Sequence, residues 1–538
     1  MRRGDFLFPL LLVLLWVVMI IIVNPIGNFP LNDDWQYARP VWYLINKGYY
    51  FAPGEFSPII TAQVLWGALF CLPCGFSFTA LRISVLVLGL IGVLVFYFLV
   101  LHLSKNKKVS FLCALLLLAN PFYFSLSNTF MSDVPFLVFA LIAIYLFLKA
   151  LENSGTIYIV FAVMFSIIAT LVRQIGVLIP VAYAIAAILK TKPNLKQWIA
   201  YVIPALIVFG AFELMLIWLK HIGSELRPYE GKSTGEFLSK PWDKIQFVFN
   251  RTSFLLLYSG IFLLPLTLFS KNILIQKISL KAKIGVMIFV VMFIPVLLHE
   301  WKSLPIGNVI GAGTIGPKTF HFENFWSNNV GSNLPHFSTL FSLLSLVGGI
   351  LLLFKIGTSI FNSDNKATPY QENIISKQQV FIAICILGFA VLLFIPGFFY
   401  DRYLLTFIPL LLLLFCRTNF ATGLIRIPVF IISFLLIFLM AAFSAMATHD
   451  YLDWNRSRWD AWNYATTNLK IPPANINGGI ECNGWIEGHV YNPAGNNHAS
   501  DEYLLSFGPH EGYATLKEFP FQNYLPYEKK NILIIHRK

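Results

Sequence analysis

Long runs without a single charge fix what this chain can become. They cover 6–23, 83–103, 109–127, 284–298, 378–396 and 427–446 among others. A run near 20 apolar residues crosses a hydrocarbon core of about 30 Å. Somewhat shorter runs do so with little tilt or with help from flanking residues. Only 12% of the 538 residues are charged, against roughly a quarter in soluble proteins. The sequence therefore predicts an all-α polytopic membrane protein. The formal charge of +13 does not point to nucleic acid, because Lys and Arg collect in the loops beside membrane spans. The first run follows Met1-Arg2-Arg3 but is long and lacks a small-x-small cleavage site, so it reads as a retained anchor.

About thirteen spans are expected, near 6–23, 80–103, 109–127, 134–149, 157–172, 174–189, 198–219, 251–269, 284–298, 338–354, 378–396, 403–416 and 427–446. With the N-terminus cytoplasmic, the inside loops gather Lys105, Lys107, Lys108, Lys190, Lys192, Lys196, Lys271, Lys277, Lys281, Lys283, Lys355, Lys366, Lys377, Arg417 and Arg426. This is the positive-inside bias. The apolar segment 56–74 would invert every later loop if it crossed. With Pro58, Gly67, Pro73 and Gly75, it is expected to lie in the outer interface.

Two domains follow: a transmembrane unit over 1–446 and a small α/β extracytoplasmic unit over 447–538. The latter is expected to hold a helix at 456–469, stopped by Pro472-Pro473, and strands at 503–507 and 531–536. Cys71 and Cys74 have metal or redox spacing, but no second pair or His cluster accompanies them. Two small apolar-face residues, or a local disulfide, fit them better.

Charges at the expected outer mouths carry the chemistry. Asn32-Asp33-Asp34-Trp35-Gln36-Tyr37-Ala38-Arg39 places two adjacent carboxylates before an amphipathic helix with Val41, Leu44 and Ile45. One acid can cap that helix. A pair of acids also raises one pKa and suits a general base. Asp133, in Ser132-Asp133-Val134-Pro135, reads either as a cap or as a second acid facing the same cavity. Arg173-Gln174 breaks the apolar stretch 157–189, as a hairpin turn or as a bidentate phosphate ligand. Tyr400-Asp401-Arg402-Tyr403 joins two apolar runs, with Arg402 either an interfacial anchor paired to Asp401 or a phosphate ligand. Aromatics crowd the first outer loop, among them Trp35, Tyr37, Trp42 and Tyr43, as interfacial belt residues or sugar platforms. There is no glycine-rich phosphate loop, metal-binding His pair or nucleophile elbow. A divalent cation is left open.

An N-terminal span, an outer loop with Asp33-Asp34-x-x-Tyr37-Ala38, and Ser132-Asp133-x-Pro135 at the next outer mouth resemble the C-fold glycosyltransferases. The pattern is most similar to protein O-mannosyltransferases and lipid A aminoarabinose transferases. The resemblance extends over residues 1–450 in layout. It implies interfacial helices in the first outer loop and catalytic acids at Asp33, Asp34 and Asp133. Arg402-Tyr403-Leu404-Leu405 with Pro409 looks like the family's late motif, in which Arg contacts lipid phosphate, with Arg173 as a second cation. Trp35, Tyr37 and Tyr403 would contact sugar or acceptor. The family's Lys-Pro-Pro stretch is replaced by Glu55-Phe56-Ser57-Pro58, a departure from the aminoarabinose type. The implied reaction moves a sugar from a polyprenyl-phosphate donor to a hydroxyl-bearing acceptor on the extracytoplasmic face of the cell membrane, with inversion. A lipid flippase or transporter would instead need midplane charges and repeats. An oligosaccharide ligase or polymerase would rely on basic residues in a late loop, where 299–337 offers Lys302, Lys318 and three histidines.

Overall fold

The computed structural model describes residues 6–52, 58–153, 155–191, 193–224, 241–269, 279–307, 309–311, 313–316, 334–361, 376–394, 400–418, 427–487 and 501–538. It is a helical bundle with a small sheet near the C-terminus. Helix α1 (Leu7–Val23) is followed by two short helices, α2 (Asp34–Lys47) and α3 (Thr61–Cys71). Then come α4 (Phe78–Ser104), α5 (Lys107–Ala119), α6 (Pro121–Ser127), α7 (Asp133–Asn153), α8 (Thr156–Thr170), α9 (Leu178–Thr191) and α10 (Leu195–His221). The remaining apolar helices are α11 (Pro241–Phe269), α12 (Leu280–Glu300), α13 (Phe337–Phe361), α14 (Lys377–Val391), α15 (Phe407–Thr418) and α16 (Ile427–Thr467).

Among the described residues, seven helices are long and apolar enough to cross a membrane, or eight if α5 and α6 form one bent span. The expected thirteen is not established. The apolar helices at Leu7–Val23, Thr156–Thr170, Gln174–Leu189 and Lys377–Ala390 have 10–17 residues. At about 1.5 Å per residue these fall short of a 30 Å core without flanking chain. Helix α3, inside the ambiguous segment 56–74, has 11 residues, roughly half a crossing. Its first turn instead joins the α8–α9 hairpin, with Ile60 and Ala62 N–H donating to Val172 and Leu171 carbonyls.

Local sequence explains the bends. Asn120 ends α5 and its side chain accepts from the Phe122 and Tyr123 amides, with Pro121 in the first turn of α6. An N-cap followed by Pro restarts a helix on a new axis, and the two axes meet at 61°. The expected span 109–127 is therefore broken. Helices α4 and α7 lie mostly inside the bundle, whereas α10, α12 and α16 present wide apolar faces to the outside. Leu214, Ile217, Ile288 and Met292 are among those outward residues, which suits hydrocarbon as solvent.

Helix α16 corrects a second expectation. The final span and the helix placed at 456–469 are one element of 41 residues, about 60 Å long. No Pro or Gly interrupts 429–471, so nothing stops the helix at the 446/447 boundary. Its distal half carries β1 (Ile476–Asn477), α17 (Ile480–Glu487), β2 (Tyr503–Ser506), β3 (Tyr513–Tyr524) and β4 (Tyr527–Arg537). The sheet order is β1-β2-β4-β3, with β1 and β2 parallel and the other pairs antiparallel. The β3–β4 hairpin exceeds the two expected strands. Strand β3 is an edge, and one face of α16 satisfies it. Asp450 accepts from the Tyr524 and Leu525 amides at 2.7 and 2.9 Å, Asp453 from the Gln522 amide at 2.8 Å, and Ser457 Oγ donates to the Pro520 carbonyl at 2.8 Å. Positions i, i+3 and i+7 share a helix face, and a covered edge cannot pair with another chain. Cys71 and Cys74 are free thiols, one buried and one exposed. Much of the loops expected at 220–250 and 299–337, including Lys318 and His321, lies outside the described residues, as does Glu55-Phe56-Ser57.

Helices α11 and α13 touch through glycine. A Cβ on Gly260 would collide with the Gly349 backbone, and one on Gly348 with Gly260. Small residues let backbones approach this closely in membranes. Gly260→Val is expected to cost about 1–3 kcal/mol through overpacking, read as a lower thermal midpoint in detergent. An unchanged midpoint would mean the helices do not cross there.

Candidate active site

The segment between α1 and α2 presents its two acids in opposite ways. Asn32 adopts a left-handed conformation at φ 54, which Asn tolerates better than most residues. Successive helical positions then diverge by about 100°. Asp33 begins α2 without capping it and keeps 40% of its side chain exposed. Asp34 is 1% exposed. Its Oδ1 accepts from the Leu31 amide at 2.6 Å and its Oδ2 from the Phe130 amide at 3.2 Å. It thereby ties the loop to the turn between α6 and α7. Burial pushes Asp34 up to about 8, against the pull of Arg82 and the two amides.

Arg82, near the start of α4 and buried, closes this knot. Its Nε donates to the Asn128 carbonyl at 2.9 Å, Nη1 to Pro25 and Gly27 at 2.6 and 3.1 Å, and Nη2 to Phe29 at 3.0 Å. Gln63 of α3 adds a 2.6 Å bond to the Phe130 carbonyl. Sequence reasoning missed Arg82. A lone cation at the head of an apolar run, with no acid nearby in sequence, was the available signal.

Asp33 faces Arg402. The 3-10 turn Asp401–Thr406 precedes α15 and holds Arg402 6% exposed. Arg402 Nη2 lies 3.4 Å from Asp33 Oδ2, and the guanidinium carbon sits 4.8 Å over the Tyr400 ring. Arg402 Nε and Nη1 are buried and have no hydrogen-bond acceptor among the described residues. Asp401 serves another partner. Its carboxylate accepts from the Val309, Ile310 and Arg402 amides at 2.9–3.3 Å. Burial raises it to about 6 against those bonds. Asp401 thus pins the 304–316 segment beside Arg402.

Asp133 opens α7, is 2% exposed, and meets Arg173 Nη2 at 2.9 Å. Neither Asp133 oxygen has a well-aligned hydrogen-bond donor among the described residues. Arg173 sits in the α8–α9 turn, where its Nε donates to Ser132 Oγ at 2.9 Å. Arg173 thus marks the hairpin turn and also pairs with Asp133. Burial opposes the Arg402 charge, but Asp133 and then Asp33 and Tyr37 outweigh it and raise its pKa. Asp33 is itself raised above the ordinary carboxylate range. The main cause is desolvation by burial, opposed by Arg402 and reinforced by Glu481. Burial likewise raises the Tyr37 phenol, which lies within reach of the charges on Arg402, Asp33, Arg173 and Asp133.

Five expected residues, Asp33, Asp133, Arg173, Arg402 and Tyr37, therefore share one site, and Tyr403 borders it beside Arg402 and the Tyr400 ring. Two stand apart. Asp34 is taken up in the loop knot. Trp35 is 2% exposed, sealed against Gly484 and under the Arg39 guanidinium at 5.0 Å. Arg39 also donates to the Gly484 carbonyl, so α17 docks directly on α2. Glu481, Arg458 and Tyr451 join the surroundings of Asp33 from the C-terminal part. Nothing in their local sequence marked them. No group of three His, Cys, Asp or Glu able to hold a metal ion occurs among the described residues.

Arg82→Met is expected to destabilise the protein by about 3–5 kcal/mol, the cost of breaking a buried charged network, measured as thermal unfolding in detergent. A midpoint unchanged from the parent would show that the loop is held by other contacts.

Residues 58–218, under a third of the chain, match the family model described as dolichyl-phosphate-mannose-protein mannosyltransferase. The match includes Asp133 and Arg173 but neither Asp33 nor Arg402. No curated protein matches the chain. Among solved structures, the protein O-mannosyltransferase Pmt1-Pmt2 complex of S. cerevisiae bound to the sugar donor is similar at 17% identity and TM-score 0.32, covering 40% of this chain and 34% of that one. The chain thus spans about a third of that relative. ArnT from Cupriavidus metallidurans is similar at 12% identity and TM-score 0.41, covering 98% and 97%. AglB, the archaeal oligosaccharyltransferase from Archaeoglobus fulgidus, is similar at 12% identity and TM-score 0.41, covering 87% and 59%. The chain is a multi-pass membrane protein that resembles the C-fold glycosyltransferases, as its apolar helices and the matched segment 58–218 indicate.

Proposed function

We propose that this protein transfers a sugar from a polyprenyl-phosphate donor to a hydroxyl acceptor, with Asp33 as general base. The observation that carries this reading is the buried Arg402 guanidinium. It touches Asp33 while two of its nitrogens, Nε and Nη1, face no acceptor among the described residues. A buried cation with open, forked donors is matched to phosphate oxygens. A partly open carboxylate of raised pKa beside it is matched to a proton.

The step balances as follows. The acceptor oxygen attacks the anomeric carbon and forms the new glycosidic bond. The bond from that carbon to the phosphate oxygen breaks, and its electron pair leaves on polyprenyl phosphate. The acceptor proton passes to Asp33. Attack from the face opposite the leaving group inverts the anomeric centre. Arg402 offsets the growing charge on the phosphate where water is excluded and the interaction is strongest. Arg173 already meets Asp133 and Ser132, so its part is to support the cluster. Asp133 in turn holds Arg173 and adds its charge to the surroundings of Arg402. Asp34 supports the base through the loop and does not touch substrate. The outward apolar faces leave the donor's lipid tail in the bilayer, with the site at the extracytoplasmic surface.

Asp33→Asn keeps the side-chain volume and removes the base. Transfer of labelled sugar from a panel of polyprenyl-phosphate donors is expected to fall about 10²–10⁴-fold, while Arg402→Met weakens both donor binding and turnover. Equal transfer by Asp33→Asn would remove Asp33 from the chemistry. Substrate-dependent flux in liposomes without any transfer would replace the enzyme with a transporter.

The pH dependence has a definite sign. The base acts deprotonated, so kcat/KM rises as pH climbs through the Asp33 pKa. Because that pKa is raised from 3.8, the acid limb is expected above the ordinary carboxylate range. A limb at 3.8 or below would contradict the desolvated base.

A further inference from the structure

Two buried polar groups beside Asp33 have no task in the transfer reading. Tyr451, on the distal half of α16, is almost wholly buried. Its hydroxyl has no hydrogen-bond partner among the described residues, and Gly316 packs against its ring. Glu481, on α17, is equally buried. Its Oε2 accepts from Arg458 Nη1 at 2.9 Å. Arg458 is 0% exposed and also donates to Asn455 Oδ1 at 2.6 Å, so the carboxylate is held in a fixed place. Tyr451 lies within electrostatic reach of Glu481, Asp34, Arg458 and Asp33, and Asp33 feels Glu481 directly after Arg402. Asp33 is thus the group that two clusters share. One holds the cations suited to phosphate. The other holds a phenol hydroxyl awaiting a partner and a carboxylate fixed by Arg458.

Folds pair their buried polar atoms, and an orphan at a functional site calls for an explanation. We propose that Tyr451 and Glu481 form the acceptor subsite and that the acceptor is a saccharide. Its reacting hydroxyl is handed to Asp33, while hydroxyls on neighbouring ring carbons bond Tyr451 Oη and Glu481 Oε1. This inference rests on the transfer reading of Asp33. A sugar ring sets several hydroxyls a fixed short distance apart, and each both donates to a carboxylate and bonds a phenol. A Ser or Thr hydroxyl comes singly and would bond only one of the two groups. A second carboxylate beside Asp33 also disfavours an anionic acceptor. The covalent step is unchanged: the acceptor oxygen bonds the anomeric carbon, its proton goes to Asp33, and polyprenyl phosphate departs.

The test uses Tyr451→Phe in the full chain, with methyl glycosides of hexoses as acceptor probes and a Ser/Thr peptide as the competing class. The substitution removes an oxygen that has no bond to lose, so thermal stability stays the same or rises. The acceptor KM is expected to rise about 10-fold, the worth of one hydrogen bond. Donor KM, set by the cluster around Arg402, stays unchanged. Calorimetric binding of the glycosides weakens by the same factor, and Glu481→Gln weakens it too. Unchanged glycoside KM and binding in Tyr451→Phe, or no glycoside binding in the parent protein, overturns the subsite. So does efficient transfer to the peptide that is sensitive to Tyr451. Glycoside binding lost in Tyr451→Phe without turnover on any donor keeps the subsite and sinks the transfer reading. Turnover with no Tyr451 effect does the reverse.

Discussion

Everything at the site depends on the knot between Arg82 and Asp34. The guanidinium gathers four carbonyls from 25–29 and 128, and the carboxylate gathers the amides of Leu31 and Phe130. Two chain segments without regular structure, about a hundred residues apart in sequence, are thereby locked together. Their backbone groups are buried and would otherwise lack partners, a cost that loops avoid by staying in water. With the knot made, the loop has one conformation, and Asp33 is delivered to Arg402 as a consequence. Asp34, used up in the knot, and Asp33, left facing Arg402, are neighbours because a helix start turns consecutive side chains in different directions.

The second constraint is charge balance. Asp33, Asp133, Arg173 and Arg402 come from four separate parts of the chain and meet as two anions and two cations. Buried ions are tolerated only when compensated, and such clusters do not gain stability over apolar packing. The cluster is also incomplete. Among the described residues, Arg402 Nε and Nη1 have no acceptor and the Asp133 oxygens lack aligned donors. That condition matches a site completed by its ligand.

Some of this was legible in the sequence. The apolar runs named the helices. Charged residues stranded at the ends of those runs named Asp33, Asp133, Arg173 and Arg402, because a charge at a membrane mouth has few reasons to be there. The span count was not legible, since run length does not say whether a 15-residue helix crosses or stops. Nor was the division between Asp33 and Asp34, which follows from the left-handed Asn32 and from Arg82, whose partners are carbonyls and leave no mark in side-chain pattern. The reading of Arg402 as paired to Asp401 placed the wrong acid beside it, since Asp401 is taken up by the amides of 309 and 310. Helix α16 ran past its expected end because its polar distal half still has a helical face, with Asp450, Asp453 and Ser457 spaced to clasp a strand edge. Tyr451 and Glu481 were illegible because they stand within electrostatic reach of residue 33, more than 400 positions away.

The central claim is that the open donors of Arg402, beside Asp33, receive the donor's phosphate. A cryo-EM map of the protein in lipid nanodiscs with polyprenyl phosphate tests it most directly. The account predicts phosphate density within hydrogen-bond distance of Arg402 Nε and Nη1 and adjacent to the Asp33 carboxylate. Phosphate bound at another part of the bundle, with Arg402 still facing an empty recess, would contradict it.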